Sequence, residues 1–111
     1  MISVGDHRDD FPAEVIVFGQ RFRVSIGDPG LWSGDAMGRC SIRAGEILLN
    51  GKMGRDAALS TLLHEAIHAA LDITAVKMPD GQMEPLVGIL EAFMFSFIRD
   101  NGNLVAKIAE L

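Results

Sequence analysis

Residues 56–73 read DAALSTLLHEAIHAALDI, and the reading of this stretch decides the architecture. Apolar residues recur at three- and four-residue intervals. Leu59, Leu62, Leu63, Ala66, Ile67 and Ala70 therefore form the side of a helix that faces a core. Asp56 is the expected N-cap, and the helix is expected to end near Ile73. Within it stands His64-Glu65-Ala66-Ile67-His68, an H-E-x-x-H pattern.

Upstream of this helix the period changes from helical to alternating. Glu14 to Phe18 is a short β-rich run. Arg21 to Ile26 places Phe22, Val24 and Ile26 on one face and Arg21, Arg23 and Ser25 on the other. The two runs read as a hairpin turning near Gly19-Gln20. Residues 27–39 hold four glycines and a proline and form a loop, with Trp32 and Met37 expected to fold back over the core. Arg39 to Asn50 is a third strand closed by Asn50-Gly51.

Downstream, Pro79, Asp80 and Gly81 interrupt the chain. A second helix is expected from Glu84, with Pro85 at its first helical position, to about Asp100, where Gly102 stops it. Residues 103–111 have room for a last short turn of helix. The order β-β-β then α-α is that of an α+β fold: a small N-terminal antiparallel sheet followed by two main helices. Residues 1–10 (MISVGDHRDD) read as a flexible, solvated leader, and residues 11–111 as one domain.

The histidine spacing has a chemical reason. Residues i and i+4 project from one helix face about a turn apart. Two imidazoles placed that way reach one zinc ion, with Zn–N distances of about 2.0–2.1 Å. Glu65, next to the first histidine, is the expected general base. It would take a proton from a metal-activated water attacking a peptide carbonyl, then pass it to the leaving amine.

A catalytic zinc needs a third protein ligand. No Cys or His follows His68, so a carboxylate is expected. Glu91 is the first candidate, because it is the only charge in PLVGILEAFMFSFI, residues 85–98. A carboxylate amid that much apolar surface is costly unless something compensates it. Glu84 lies seven residues earlier on the same helix face and is held in reserve. Asp72 extends the 64, 68, 72 stripe as a further alternative, or as a group that orients an imidazole. The chain has no tyrosine to stabilise an oxyanion, which leaves Arg39, Arg43 or Arg99 as possible substitutes.

Composition narrows the function classes. The chain has 111 residues, 49% of them hydrophobic, and a formal charge of −5. That balance suits one modest core and argues against nucleic acid as a partner, since phosphate contacts need a basic face. The longest apolar run, Leu86 to Ile98, is too short to span a bilayer, so no membrane is expected. The single cysteine, Cys40, permits no internal disulfide and points to a reducing, cytoplasmic setting; it is expected to be a small buried residue. The apolar helix over residues 85–98 leaves almost no polar face, so a homodimer or protein partner contact through it is expected.

The helix around Leu62-Leu63-His64-Glu65-Ala66-Ile67-His68-Ala69 resembles the active helix of minimal zincins, in particular ImmA/IrrE-like metallopeptidases and small phage- or prophage-encoded zincin-like proteins. Glu91-Ala92-Phe93-Met94-Phe95 matches the ImmA/IrrE-like Glu-Ala-Asn-x-Phe at the Glu, the Ala and the second Phe, and departs at Phe93. Ile98-Arg99-Asp100-Asn101 and Leu104-Val105 resemble the end of the same helix in the small phage proteins. Those proteins place acidic residues nearer 84 and 88, and position 88 here is glycine. The resemblance covers roughly residues 13–105. It implies a zinc metallopeptidase scaffold acting on a peptide or protein substrate. Some members of the wider group cleave regulators of mobile elements. Others imply the alternative, a non-catalytic zinc-binding structural or regulatory protein.

Overall fold

The computed structural model describes residues 11–27 and 37–111. The 1–10 leader and Trp32 lie outside the described residues. Four strands, β1 (Glu14–Val17), β2 (Gln20–Gly27), β3 (Gly38–Ser41) and β4 (Glu46–Asn50), precede three helices, α1 (Arg55–Ile73), α2 (Met83–Asp100) and α3 (Gly102–Ala109). The α+β class and its segregated order follow the sequence reading.

The hairpin β1–β2 is antiparallel, with Val15 opposite Phe22. Its turn falls on Phe18-Gly19, where φ is 49° and 80°. Two successive left-handed residues are what a tight hairpin with matching twist requires.

The expected third strand is in fact two strands. Ser41 Oγ accepts from the Ala44 amide at 3.1 Å, and Gly45, with φ of 62°, turns the chain back into β4. The sheet order is β1-β2-β4-β3, and β2 runs parallel to β4. The sheet is therefore mixed rather than antiparallel throughout. Burial explains the exchange of places. β4 carries Ile47 and Leu49, both fully buried, and belongs at the centre. The short, polar β3 (GRCS) takes the edge, where unpaired backbone is tolerable.

One face of the sheet packs against α1. Phe22, Ile47 and Leu49 meet Ala58, Leu62 and Ala69, with Phe11 and Met53 closing the ends. Each large side chain fully buried here contributes roughly 1.5–3 kcal/mol. Leu62 and Ile67 are buried as expected, while Leu63, Ala66 and Ala70 are only half-buried. Met37 is 58% exposed and does not cover the core.

Helix boundaries shift slightly. Gly54, not Asp56, stands at the N-cap of α1, and its carbonyl accepts from the Ala58 amide at 3.0 Å. Asp56 lies in the first turn, where its charge suits the helix dipole. α2 starts at Met83, which makes Pro85 its third residue, still within the turn whose amides lack helical partners. The break after α2 falls at Asn101, whose side-chain amide donates to the Phe97 carbonyl at 2.9 Å; Gly102 opens α3. Among the described residues, no helix is long and apolar enough to cross a membrane.

Candidate metal centre

Two stripes on α1 build the site. Ala58, Leu62, Glu65 and Ala69 point toward the sheet and are all buried. Ser60, His64 and His68 lie one i+4 step apart on the neighbouring face, toward α2. On α2, Glu84 and Glu91 are seven residues apart and share a face. They meet the α1 stripe in reverse order. Glu84 lies at His68 and His64, and Glu91 lies at His64 and Ser60.

The distances give the two carboxylates different partners. Glu84 Oε1 is 2.5 Å from His68 Nε2, and Glu84 Oε2 is 3.4 Å from His64 Nε2. Glu91 Oε1 is 2.7 Å from His64 Nδ1, and its other oxygen accepts from the Ser60 hydroxyl. The donor atoms of His64, His68 and Glu84 all lie within 4.8 Å of one another. Glu91, the first candidate for third ligand, is engaged on the far nitrogen of His64 instead of joining this group. Asp72 is exposed and also stands outside it.

The donor set fits zinc. Two imidazoles and a carboxylate are a common catalytic set. Ligand atoms on one tetrahedral ion are about 3.3 Å apart, given bond lengths near 2.0 Å. The His64–Glu84 separation of 3.4 Å is close to that spacing, whereas Glu84 and His68, 2.5 Å apart, are in direct hydrogen bond and would have to part to admit an ion.

A cleft of about 490 Å³ opens over these groups, lined by Met37, Gly38, Thr61, Glu65 and Glu91 with the three donors. Glu65 is the one buried charged side chain among the described residues. Burial holds its carboxyl above the ordinary carboxylate range. His68 and His64 oppose that shift, and Glu84 and Glu91 add to it. Glu65 thus reaches the cleft from the sheet side of α1, while the histidines reach it from the α2 side.

Gly38 makes this approach possible. A Cβ there would stand 2.7 Å from Thr61 Cγ2 and 3.2 Å from both Glu65 Cγ and the Leu48 carbonyl oxygen. The absent side chain lets α1 lie close over the edge strand. Nothing in the local sequence distinguishes this glycine from the others in its loop. Ser60, at His64−4, also stands on the histidine stripe, and that spacing is the one local sign of its role.

The other candidates lie elsewhere. Arg39, Arg43 and Arg99 do not line the cleft. Arg99 instead pairs with Asp100 at 3.2 Å and covers the Phe95 ring at 5.9 Å. Cys40 is half-buried rather than fully buried. Burial first, then the charges of Glu65 and Asp72, pushes its thiol up to about 11. Comparison with protein-family models, curated proteins and solved structures finds no match to this chain.

Proposed function

We propose that this protein is a zinc-dependent peptide hydrolase of minimal zincin type. His64, His68 and Glu84 would hold the ion. The observation that carries the reading is the arrival of Glu84, from a separate helix, at the Nε2 atoms of both histidines. Zinc, when bound, supplies Lewis acidity to water and to a carbonyl oxygen.

The remaining work falls to residues of the chain. Glu65 takes a proton from the attacking water at its carboxylate and returns it to the leaving amine. Burial suits Glu65 to that exchange, because a carboxyl with a raised pKa holds the proton longer before releasing it. Gly38 and Met37, at the start of the edge strand, border the space a peptide would occupy. The test is zinc content of untagged protein beside a His64→Ala control, followed by peptide hydrolysis with Glu65→Gln. One zinc per chain, lost in the control, and hydrolysis lost in Glu65→Gln with the metal retained, are the expected results. Metal without hydrolysis in the wild type would favour a non-catalytic zinc protein.

A separate observation favours a second reading, action through protein contacts. The outward side of α2 presents Ile89, Phe93 and Phe97, exposed by 68%, 59% and 38%. Beside this ridge runs a row of small residues, Gly88, Ala92 and Ser96, with open space over Gly88. A ridge next to a groove of the same i+4 pitch is self-complementary in the commonest helix packing. The occupant that fits is a second copy of this chain. Over residues 85–98 that side carries no charge, and Glu84, which heads the row of small residues one turn before Gly88, turns toward His64 and His68, so two copies with a formal charge of −5 each can meet there. The apolar surface of this ridge is on the order of 400 Å², against about 800 Å² per partner in a standard interface. A weak dimer is expected. Sedimentation that stays monomeric up to millimolar concentration would remove this reading.

A further inference from the structure

We propose that Ser60 and Glu91 are positioning residues that set the tautomer of His64, so that Glu91 acts on the imidazole and not on the ion. The inference rests on the zinc site proposed above, but its first test does not need the metal.

Glu91 Oε1 lies 2.7 Å from His64 Nδ1. An ionised carboxylate only accepts, so the ring must donate from Nδ1, and Nε2 is left with its lone pair. Nε2 is the nitrogen that faces Glu84, at 3.4 Å. The second oxygen of Glu91 accepts from Ser60 Oγ, so the carboxylate is held at both ends. Ser60 and His64 are one turn apart on α1, and Glu91 bridges them from α2. Both His64 and Glu91 are about three-quarters buried, which shields the contact from competing water.

Among the described residues, His68 has no such support: its polar contact is through Nε2 to Glu84, and its ring stands 4.9 Å from that of His64. By the same reasoning the 2.5 Å contact puts the proton of metal-free His68 on Nε2, so His64 is preset for a ligand while His68 must give up its Nε2 proton to become one. The arrangement also accounts for the costly carboxylate in the middle of an apolar helix. Glu91 is satisfied by two donors from α1 without any need to coordinate.

The experiment has two readouts. Long-range proton–nitrogen spectra of the metal-free protein at pH 8 report the tautomer of each histidine. His64 is expected wholly as the Nδ1–H form in the wild type and as a mixture in Glu91→Ala, while His68 is unchanged. Zinc affinity is then measured by competition with a chromophoric chelator. Glu91→Ala is expected to weaken binding 10–100-fold. Ser60→Ala should weaken it several-fold, and Ser60→Thr, which keeps the hydroxyl, should stay near wild type. An Nε2–H tautomer for His64 in the wild type would overturn the proposal. So would Glu91→Ala abolishing zinc binding as completely as His64→Ala, because Glu91 would then be a ligand. Wild-type protein that shows the expected tautomers yet binds no zinc would sink the proposed function and leave the positioning role standing.

Discussion

The two sides of α2 invert the usual pattern of a surface helix. The inner side, which meets α1, carries Glu84 and Glu91 beside the fully buried Val87. The outer side, which meets solvent, carries Ile89, Phe93 and Phe97, and the Phe93 and Phe97 rings stack at 5.3 Å. A helix selected only for folding would place these the other way round. Departures of this kind cluster where a chain does something besides fold. The inner departure is explained by partners already in contact: two histidines and a serine receive the carboxylates. The outer one has no partner within the described chain, and that is why it points to a second copy.

The comparison can be broken or sharpened in several ways. The largest expected effect belongs to the inner side and its cleft. Glu65→Gln should cut peptide hydrolysis by about 10²–10⁴-fold with zinc content unchanged, read by a fluorogenic peptide assay beside elemental analysis. Glu84→Ala should weaken zinc binding by more than Glu91→Ala does; the reverse order, from chelator competition, would exchange the roles assigned to the two carboxylates.

Stability separates the sides next. Val87→Ala should cost about 2 kcal/mol in urea unfolding, because it leaves a cavity at a fully buried position. Phe93→Ser, on the outer side, should stay within about 0.5 kcal/mol in dilute protein and abolish any concentration-dependent association. Gly38→Ala tests the approach of α1 to the edge strand. The clash with Thr61 and the Leu48 carbonyl should cost about 1–3 kcal/mol by the same measurement.

Cys40 provides the smallest effect. At pH 8 its alkylation by iodoacetamide should be about tenfold slower in the folded protein than in urea. Fewer thiolates are present, although each is more nucleophilic. The sign for stability follows. The folded thiol keeps its proton up to about 11, and the unfolded one releases it near 9.0. The contribution is complete below pH 9 and is lost as pH rises toward 11. Cys40→Ser should flatten that decline.

The helical half of the molecule was legible because its signals are local. The spacing of Leu62, His64, Ile67 and His68 defines one helix and its polar stripe without reference to any other element. The turn residues Pro79, Asp80 and Gly81 then mark the break before the second helix. The shared face of Glu84 and Glu91 was legible for the same reason. The split of residues 39–50 into two strands was less visible, because Arg43-Ala44-Gly45 lacks the Asn-Gly or Pro signature of a tight turn. Its cause is a single side-chain acceptor, Ser41, and one left-handed glycine.

By itself, then, the sequence determined the α+β class and the helix that carries His64, Glu65 and His68, and for the proposed zinc site it narrowed the third ligand to a carboxylate, Glu91, Glu84 or Asp72. Those properties depend on residues within a few positions of one another, where period and geometry are set by the backbone. Only the tertiary structure decided which carboxylate goes where. The antiparallel approach of α2 to α1 pairs Glu84 with the two Nε2 atoms and Glu91 with the Nδ1 of His64 and with Ser60. It also decided the strand order, because the burial of Ile47 and Leu49 against α1 outweighs the simpler succession of hairpins. The need for glycine at position 38 was decided in the same way. Each of these follows from which surfaces meet, and a spacing along the chain does not encode that.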